Sequence, residues 1–207
     1  MKQLQFITHH TEKYSYMDSA YLALEGGCKW IQLRMKDEPH ISVLETAINM
    51  KALCKQYDAV LIIDDHVSIA ASVEADGVHL GKNDMPVPEA RKLLGPGFLI
   101  GGTANTFEDL KRLASQGIDY AGIGPFRYTQ TKKNLSPILG INGYREIIKR
   151  CQEVGISIPF VAIGGITSKD IPELIHAGVP GIALSGAILQ AENPTQETRK
   201  IIQLLNQ

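Results

Sequence analysis

Short apolar runs alternate with longer amphipathic segments along the whole 207-residue chain. Runs of this length, bounded by glycine and polar residues, are typical of buried β-strands. We predict eight of them, at residues 4–8, 30–34, 60–64, 77–80, 98–103, 120–123, 160–163 and 181–184. The intervening segments space their apolar residues as helices do, near 18–25, 42–57, 66–74, 88–94, 106–116, 142–154, 168–176 and 195–205.

Eight strand-then-helix units follow one another without a linker or a break in composition, which predicts one catalytic domain over residues 1–207. A helix between consecutive strands indicates a parallel sheet. Eight units closing on themselves predict an α/β fold of the (β/α)8 or TIM-barrel type, compact beside the usual size of about 250 residues. An open doubly wound sheet is the alternative. It would place a glycine-rich turn after the first strand, where the chain instead has Thr8-His9-His10-Thr11-Glu12.

Composition and charge indicate which partners and which cellular compartment suit the chain. The formal net charge is −1, so no overall field would recruit nucleic acid or an acidic membrane. No apolar run approaches the roughly 18 residues of a membrane span, and the first residues form no signal-peptide core. Cys28, Cys54 and Cys151 have neither metal-site spacing nor a plausible disulfide pattern, which favours a reducing cytoplasm. The oligomeric state stays open, and a homo-oligomer is compatible with the sequence.

Residues 124–133, GPFRYTQTKK, form the richest polar segment and follow directly on the sixth predicted strand. Hydroxyls, backbone N–H groups and cations at a strand end are suited to a phosphorylated ligand. The alternative is a basic loop that is only exposed to solvent. Other predicted strand ends carry similar polar clusters, which favours the ligand-binding interpretation.

The second strand ends in one amide and two cations. Period-two alternation turns Gln32, Arg34 and Lys36 to the same side. This set suits a diphosphate attached to a hydrogen-bonding ring, although lysine and arginine are also common where a strand leaves the core. Thr103, at the end of the fifth strand, could donate a hydrogen bond to a ligand oxygen.

Carboxylates follow the third and fourth strands. Asp64 and Asp65 are adjacent, and Asp84 lies in the turn after strand four. One or two carboxylates with substrate oxygens and water are the usual protein site for Mg²⁺. Alternatively, Asp65 caps the next helix and Asp84 is a plain turn residue. His79, inside the fourth strand, is interpreted as a satisfied barrel histidine.

A second anion site is predicted after strands seven and eight. Gly164 and Gly165 follow one strand and Ser185 and Gly186 the other, with a short helical segment at 187–190. Backbone N–H groups at this position form the phosphate site of many barrels. Two anion sites, one with metal, suggest group transfer with diphosphate as the leaving group.

Four segments together resemble the thiamine phosphate synthase (thiamine-phosphate pyrophosphorylase) family. They are QLRMK at 32–36, ADGVHLG at 75–81, TQTKK at 129–133 and AIGGI at 162–166. The family joins hydroxymethylpyrimidine diphosphate to a thiazole phosphate, giving thiamine phosphate and diphosphate. The resemblance therefore implies two phosphorylated substrates and a Mg²⁺ cofactor.

The resemblance also implies roles for individual residues. The pyrimidine diphosphate would be bound by Gln32, Arg34, Lys36, Asp64, Thr103 and Lys132, of which Arg34, Lys36 and Lys132 are the expected catalytic residues. Asp65 and Asp84 would hold the metal. The thiazole phosphate would be bound by Thr129, Thr131, Gly164, Gly165, Ser185 and Gly186.

Three positions depart from the family pattern. Asp64 stands where Asn is usual, Thr103 where Ser is usual, and Asn105 where His is usual. Thr103 keeps the hydroxyl, whereas Asp64 replaces an amide donor with a carboxylate. Asn105 indicates that a histidine there is dispensable to the chemistry.

The mechanism that the resemblance implies is dissociative and needs no protein nucleophile. Three alternative functions remain. A thiazole tautomerase on the same barrel would need neither the diphosphate cluster nor paired aspartates, and a phosphate-binding isomerase would need a glutamate or histidine base at a strand end. A non-catalytic binding protein for thiamine precursors has no distinguishing sequence feature.

Overall fold

Eight parallel strands close into a barrel in which the order around the ring is the order along the chain. The computed structural model describes residues 4–128 and 137–206. The last strand pairs with the first through Gln5 and Ala183, which closes the ring. The predicted TIM barrel is therefore confirmed. The strands are β1 (Leu4–Ile7), β2 (Trp30–Leu33), β3 (Val60–Asp64), β4 (Gly77–Leu80), β5 (Leu99–Ala104), β6 (Tyr120–Ile123), β7 (Phe160–Ile163) and β8 (Ile182–Leu184).

A helix follows every strand within the described residues, and a further helix ends the fold. They are α1 (Tyr16–Glu25), α2 (His40–Gln56), α3 (Val67–Ser72), α4 (Val87–Leu94), α5 (Phe107–Ser115), α6 (Gly140–Val154), α7 (Ile171–His176), α8 (Gly186–Leu189) and α9 (Pro194–Leu205). The predicted bounds differ by a few residues, most of all at α3 and α7, which are shorter. None of the helices in the described part of the chain has the length and hydropathy to cross a membrane.

The apolar side chains form two cores, because successive residues of each strand face opposite sides of the barrel wall. The larger core lies between the barrel and the helices. The smaller core fills the barrel interior with Ile7, Trp30, Ile62, Tyr120, Val161 and Ala183. Above it, towards the carboxyl ends of the strands, the inward positions become polar, and this change of character positions the site.

Gly101 makes room for the largest interior side chain. A Cβ at this position would lie 2.2 Å from Cζ of Tyr120. The Tyr120 ring is 2% exposed and packs edge-on against Trp30, with 4.8 Å between the ring centroids. The ring cannot move aside without disturbing that contact.

We expect Gly101→Ala to lower the free energy of unfolding by about 1–3 kcal/mol, the usual cost of overpacking a core. Urea denaturation measures it. Gly97→Ala is the matched control, because a Cβ there would meet nothing within 4 Å. Equal unfolding midpoints for the two variants would contradict this account of the interior.

Candidate active site

Arg34 and Asp64 form an ion pair at the carboxyl ends of β2 and β3. Arg34 Nε lies 3.4 Å from Asp64 Oδ2, and the two side chains are only 16% and 9% exposed. The backbone N–H of Arg34 donates to Thr8 Oγ1 at 3.0 Å, which fastens the end of β2 to the end of β1. The departure from the family pattern at Asp64 thus supplies a carboxylate partner to the predicted diphosphate-binding arginine.

Lys36 lies beside this pair and reaches the next carboxylate. Its Nζ is 3.4 Å from Asp65 Oδ2, and the lysine side chain is 56% exposed. Arg34 and Lys36 therefore pair with successive residues at the end of β3. The structure brings four of the predicted diphosphate and metal residues together on one part of the rim.

Asp65 contacts the third carboxylate of the group, Asp84. Burial, the hydrogen bond with Asp84 and its charge raise the pKa of Asp65, against a smaller opposing effect of Lys36. Asp84 in turn accepts from the backbone N–H of Gly81 at 2.6 Å. Asp84 therefore orders its turn, as the alternative interpretation held, and also faces Asp65, as the metal interpretation requires.

The alternative role of Asp65 as a helix cap is wrong. The residue that precedes α3 is His66, and no side-chain cap hydrogen bond is formed there. Asp65 instead has a φ of 64°, a left-handed conformation that is uncommon for residues other than glycine. Among the described residues, no three His, Cys, Asp or Glu side chains form a metal-binding group. Two carboxylates alone suit a metal that takes its other ligands from substrate and water.

The amide and hydroxyl predictions fall inside the barrel mouth. Gln32 is buried, with 2% of its surface exposed. Thr103 Oγ1 lies 3.0 Å from His79 Nε2, and His79 Nδ1 lies 3.0 Å from the Tyr120 hydroxyl oxygen. Both ring nitrogens of His79 thus have partners, which confirms the interpretation of a satisfied barrel histidine.

The predicted second anion site lies at the ends of β7 and β8. Gly164 and Gly165 have φ values of 97° and 68°. A Cβ on Gly165 would lie 2.7 Å from the carbonyl oxygen of Tyr128, so the two loops approach too closely for a side chain. Ser185 Oγ is buried and has no hydrogen-bond partner among the described residues. A buried hydroxyl without a partner fits a position that a ligand oxygen completes.

Three predicted residues, Thr129, Thr131 and Lys132, lie outside the described residues, and their roles stay predictions. Both flanks of their segment are fastened to one another. Leu139 N–H donates to the Pro125 carbonyl at 2.9 Å, and Gly140 N–H donates to the Phe126 carbonyl at 3.0 Å.

Sequence reasoning missed an ion pair that joins the loops after β6 and β7. Arg127 binds both carboxylate oxygens of Asp170 at 2.8 Å and also donates to the Gly165 carbonyl at 3.1 Å. Asp170 accepts further bonds from the N–H and hydroxyl of Thr167, both at 2.8 Å. The arginine therefore fixes the backbone at the glycine pair.

With the predicted thiazole phosphate bound at the glycine pair, we expect Arg127→Met to raise the KM for that substrate about tenfold, because the change frees the Gly165 carbonyl. The KM for the predicted pyrimidine diphosphate should change less. Steady-state kinetics with each substrate varied in turn measures this. Arg150→Met is the control, since Arg150 also pairs with an acid, Glu108, and stacks on Phe107. Equal rises in both KM values would contradict a local role for Arg127.

Asn105 also has a structural role that the sequence did not indicate. Its side-chain Nδ2 donates to the Gly124 carbonyl, at the start of the loop after β6. The peptide bond between Gly124 and Pro125 is cis. This amide contact explains how the position serves the loop without the histidine that is usual in the family.

The fold and this rim define the class of protein, a TIM-barrel enzyme whose predicted anion sites lie at the carboxyl ends of its strands. A family model described as thiamine monophosphate synthase matches residues 4–188. The chain therefore belongs to the thiamine monophosphate synthase family.

Individual relatives agree. A thiamine-phosphate synthase of Bacteroides fragilis is 60% identical, with 99% of this chain and 100% of the relative covered. One of Bacteroides thetaiotaomicron is 59% identical, with 99% and 98% covered. Among solved structures, a thiamine phosphate pyrophosphorylase from Pyrococcus furiosus superposes with a TM-score of 0.87 at 33% identity, covering 99% of this chain and 95% of that one.

Proposed function

We propose that this protein catalyses the thiamine-phosphate synthase reaction, the transfer of a hydroxymethylpyrimidine group from its diphosphate to a thiazole phosphate in thiamine biosynthesis. The products are thiamine phosphate and diphosphate. The observation that supports it best is the group formed by Arg34, Lys36 and three carboxylates at the ends of β2, β3 and β4.

Arg34 and Lys36 bind the diphosphate in this proposal. Each is held by a carboxylate at 3.4 Å, a distance that is long for a direct hydrogen bond. Each cation can therefore be shared with a phosphate oxygen. Lys132, which the sequence places near the same charge, is proposed as a third cation.

Asp65 and Asp84 are the proposed ligands of Mg²⁺. Their donor set fits, because burial and the neighbouring Asp84 raise the pKa of Asp65, and a divalent cation would relieve the repulsion between the two carboxylates. A metal held by these two residues would neutralise charge on the leaving diphosphate. Lys36 lies close enough to Asp65 to keep the carboxylate oriented in either state.

The thiazole phosphate is proposed to bind at the other part of the rim. Ser185 Oγ would donate to a phosphate oxygen, together with the backbone N–H groups of Gly165 and Gly186. Thr129 and Thr131 are proposed from the sequence as further donors.

The reaction proceeds by loss of the leaving group before attack. The bond from the pyrimidine methylene carbon to oxygen breaks, and diphosphate leaves with the electron pair. The thiazole nitrogen then donates its lone pair to the methylene carbon. The cationic side chains stabilise the charge that grows on the diphosphate, and the second phosphate site positions the nitrogen.

The cysteines are consistent with a mechanism without a thiolate nucleophile. Burial raises the pKa of the Cys28 thiol to about 11 and that of Cys54 to about 12. Burial also raises the pKa of Cys151. All three are free thiols. We infer a cytoplasmic location from this, since a reducing compartment keeps such thiols unpaired.

Diphosphate release is the decisive assay. The protein is given hydroxymethylpyrimidine diphosphate with and without thiazole phosphate, each in Mg²⁺ and in EDTA. We expect release coupled to thiamine phosphate formation in Mg²⁺ with both substrates. No turnover with both substrates and Mg²⁺ would overturn the proposal.

The same preparation tests the tautomerase alternative. That enzyme would interconvert thiazole phosphate isomers without pyrimidine diphosphate and in EDTA. The retained cations and aspartates argue against it, because isomerisation has no diphosphate charge to stabilise. Isomer exchange in EDTA without synthase turnover would favour it.

A further inference from the structure

A chain of four side chains crosses the barrel interior beneath the proposed diphosphate site. Gln5 Nε2 lies 3.3 Å from the Tyr120 hydroxyl oxygen, which lies 3.0 Å from His79 Nδ1. His79 Nε2 then lies 3.0 Å from Thr103 Oγ1. Gln5, His79 and Tyr120 are all buried, and Thr103 alone is partly exposed, at the barrel mouth.

The direction of these hydrogen bonds follows from the phenol. Gln5 Nε2 carries hydrogens and no lone pair, so it donates to the Tyr120 hydroxyl oxygen. The hydrogen of this buried hydroxyl needs an acceptor in turn, and Gln5 Nε2 cannot supply one. The single hydroxyl hydrogen of Tyr120 has His79 Nδ1 as its nearest acceptor. Tyr120 therefore donates to His79.

The consequence passes through the imidazole ring. When Nδ1 accepts, the ring hydrogen of the neutral imidazole is on Nε2. Nε2–H then donates to Thr103 Oγ1. The threonine hydroxyl accepts from the ring, and its own hydrogen is left to point at a ligand.

The geometry points to Tyr120 as a positioning residue: it fixes His79 as the Nε2–H tautomer and thereby makes Thr103 a hydrogen-bond donor towards the diphosphate. This inference rests on the proposed function for the identity of the ligand. Diphosphate oxygens only accept hydrogen bonds. In the opposite tautomer, Thr103 would donate to His79 and present lone pairs to an anion, which repels it.

The glycines around the ring are consistent with a specified tautomer. A Cβ on Gly122 would lie 3.2 Å from His79 Cε1, and one on Gly101 would overlap the Tyr120 ring. Side chains at these positions would push the imidazole and phenol apart. The strands therefore have glycines, without side chains, where the two rings pack against them.

The tautomer can be read directly in the ligand-free protein. Two-bond ¹H–¹⁵N correlation spectra of ¹⁵N-histidine-labelled protein distinguish a protonated ring nitrogen from an unprotonated one. We expect His79 with Nε2 protonated and Nδ1 unprotonated. A protonated Nδ1 would overturn the inference, whatever the protein does with its substrates.

Tyr120→Phe tests the coupling to Thr103. We expect it to release the tautomer preference and to weaken binding of inorganic diphosphate with Mg²⁺ about tenfold, the loss of one hydrogen bond to a charged group. Thr103→Ala should weaken binding similarly, and the double variant should be no worse than either single one. Additive losses would overturn the coupling.

Tyr144→Phe is the matched control. Tyr144 is an equally buried tyrosine, but its hydroxyl donates to the Ile123 carbonyl at 2.6 Å. The Tyr144→Phe variant should lose stability as Tyr120→Phe does, but its His79 tautomer and its affinity for diphosphate should be those of the parent protein. A parent protein that shows the expected tautomer but binds no diphosphate would contradict the proposed function instead.

Discussion

Arg34→Met is expected to lower turnover about a hundredfold, since removing one preorganised group that stabilises transition-state charge typically costs that much. Arg34 is a strong candidate because it is only 16% exposed, so its charge is poorly screened by water. The measurement is kcat/KM for pyrimidine diphosphate at saturating thiazole phosphate and Mg²⁺.

The same change also removes the guanidinium from beside Asp64, and taking a cation away from a carboxylate that is only 9% exposed lowers stability. Loss of stability could then imitate loss of catalysis. The control is the double variant Arg34→Met/Asp64→Asn, which removes the carboxylate charge at position 64 as well and installs the residue usual in the family. We expect it to regain stability but not turnover. Recovery of turnover with stability would show that Arg34 serves the fold alone.

The sequence predicted the barrel well, because strand and helix periodicities are local properties. It also predicted that Gln32, Arg34 and Lys36 share one side of a strand, since that alternation needs only the pleat of one strand. Their role in binding a diphosphate stays a prediction. The side chains that Arg34, Lys36 and Asp65 contact were harder to predict from the sequence. Asp64 is the neighbour of Asp65 in the sequence, but the carboxylate that contacts Asp65 in the structure is Asp84.

The reason is the backbone at the end of β3. Asp64 continues the strand and faces Arg34, while Asp65 turns into the left-handed region at a φ of 64°. Their side chains therefore have different partners, although the residues are neighbours. Aspartate adopts that conformation more readily than most residues, but its presence alone does not predict it.

Contacts between distant segments were the other omission. Arg127 and Asp170 are 43 residues apart, and Gln5 and Tyr120 are 115 apart. The register of the closed barrel brings each pair together, and that register is known only once the fold is. A buried tyrosine does signal that its hydroxyl needs a partner, but not which one.

Asp84→Asn is expected to raise the Mg²⁺ concentration needed for half-maximal turnover about tenfold and to stabilise the ligand-free protein at neutral pH. The first effect follows from losing one of two proposed ligand charges. The second follows from Asp65, whose pKa is raised by burial and by Asp84. Asparagine keeps an oxygen to accept from Gly81 N–H, so the turn should survive.

The pH dependence has a definite sign. Asp65 begins to lose its proton near 3.8 in the unfolded chain and at higher pH in the folded protein. Between those values the folded state holds the extra proton, so the free energy of unfolding falls as pH rises through the raised pKa. Above the raised pKa, the free energy of unfolding has fallen by the full amount that ionised Asp65 costs the folded state. Asp84→Asn should make that decrease smaller.

Urea unfolding of the ligand-free protein from pH 4 to 7, followed by Mg²⁺ titration of turnover, measures both effects. Glu146→Gln makes the same charge change on the exposed outside of α6 and controls for net charge. We expect the Asp84→Asn midpoint to exceed that of the parent at pH 7 and the two midpoints to converge on acidification. A lower midpoint at pH 7 would mean that the Asp65–Asp84 contact stabilises the protein without a metal, and an unchanged Mg²⁺ requirement would remove Asp84 from the metal site.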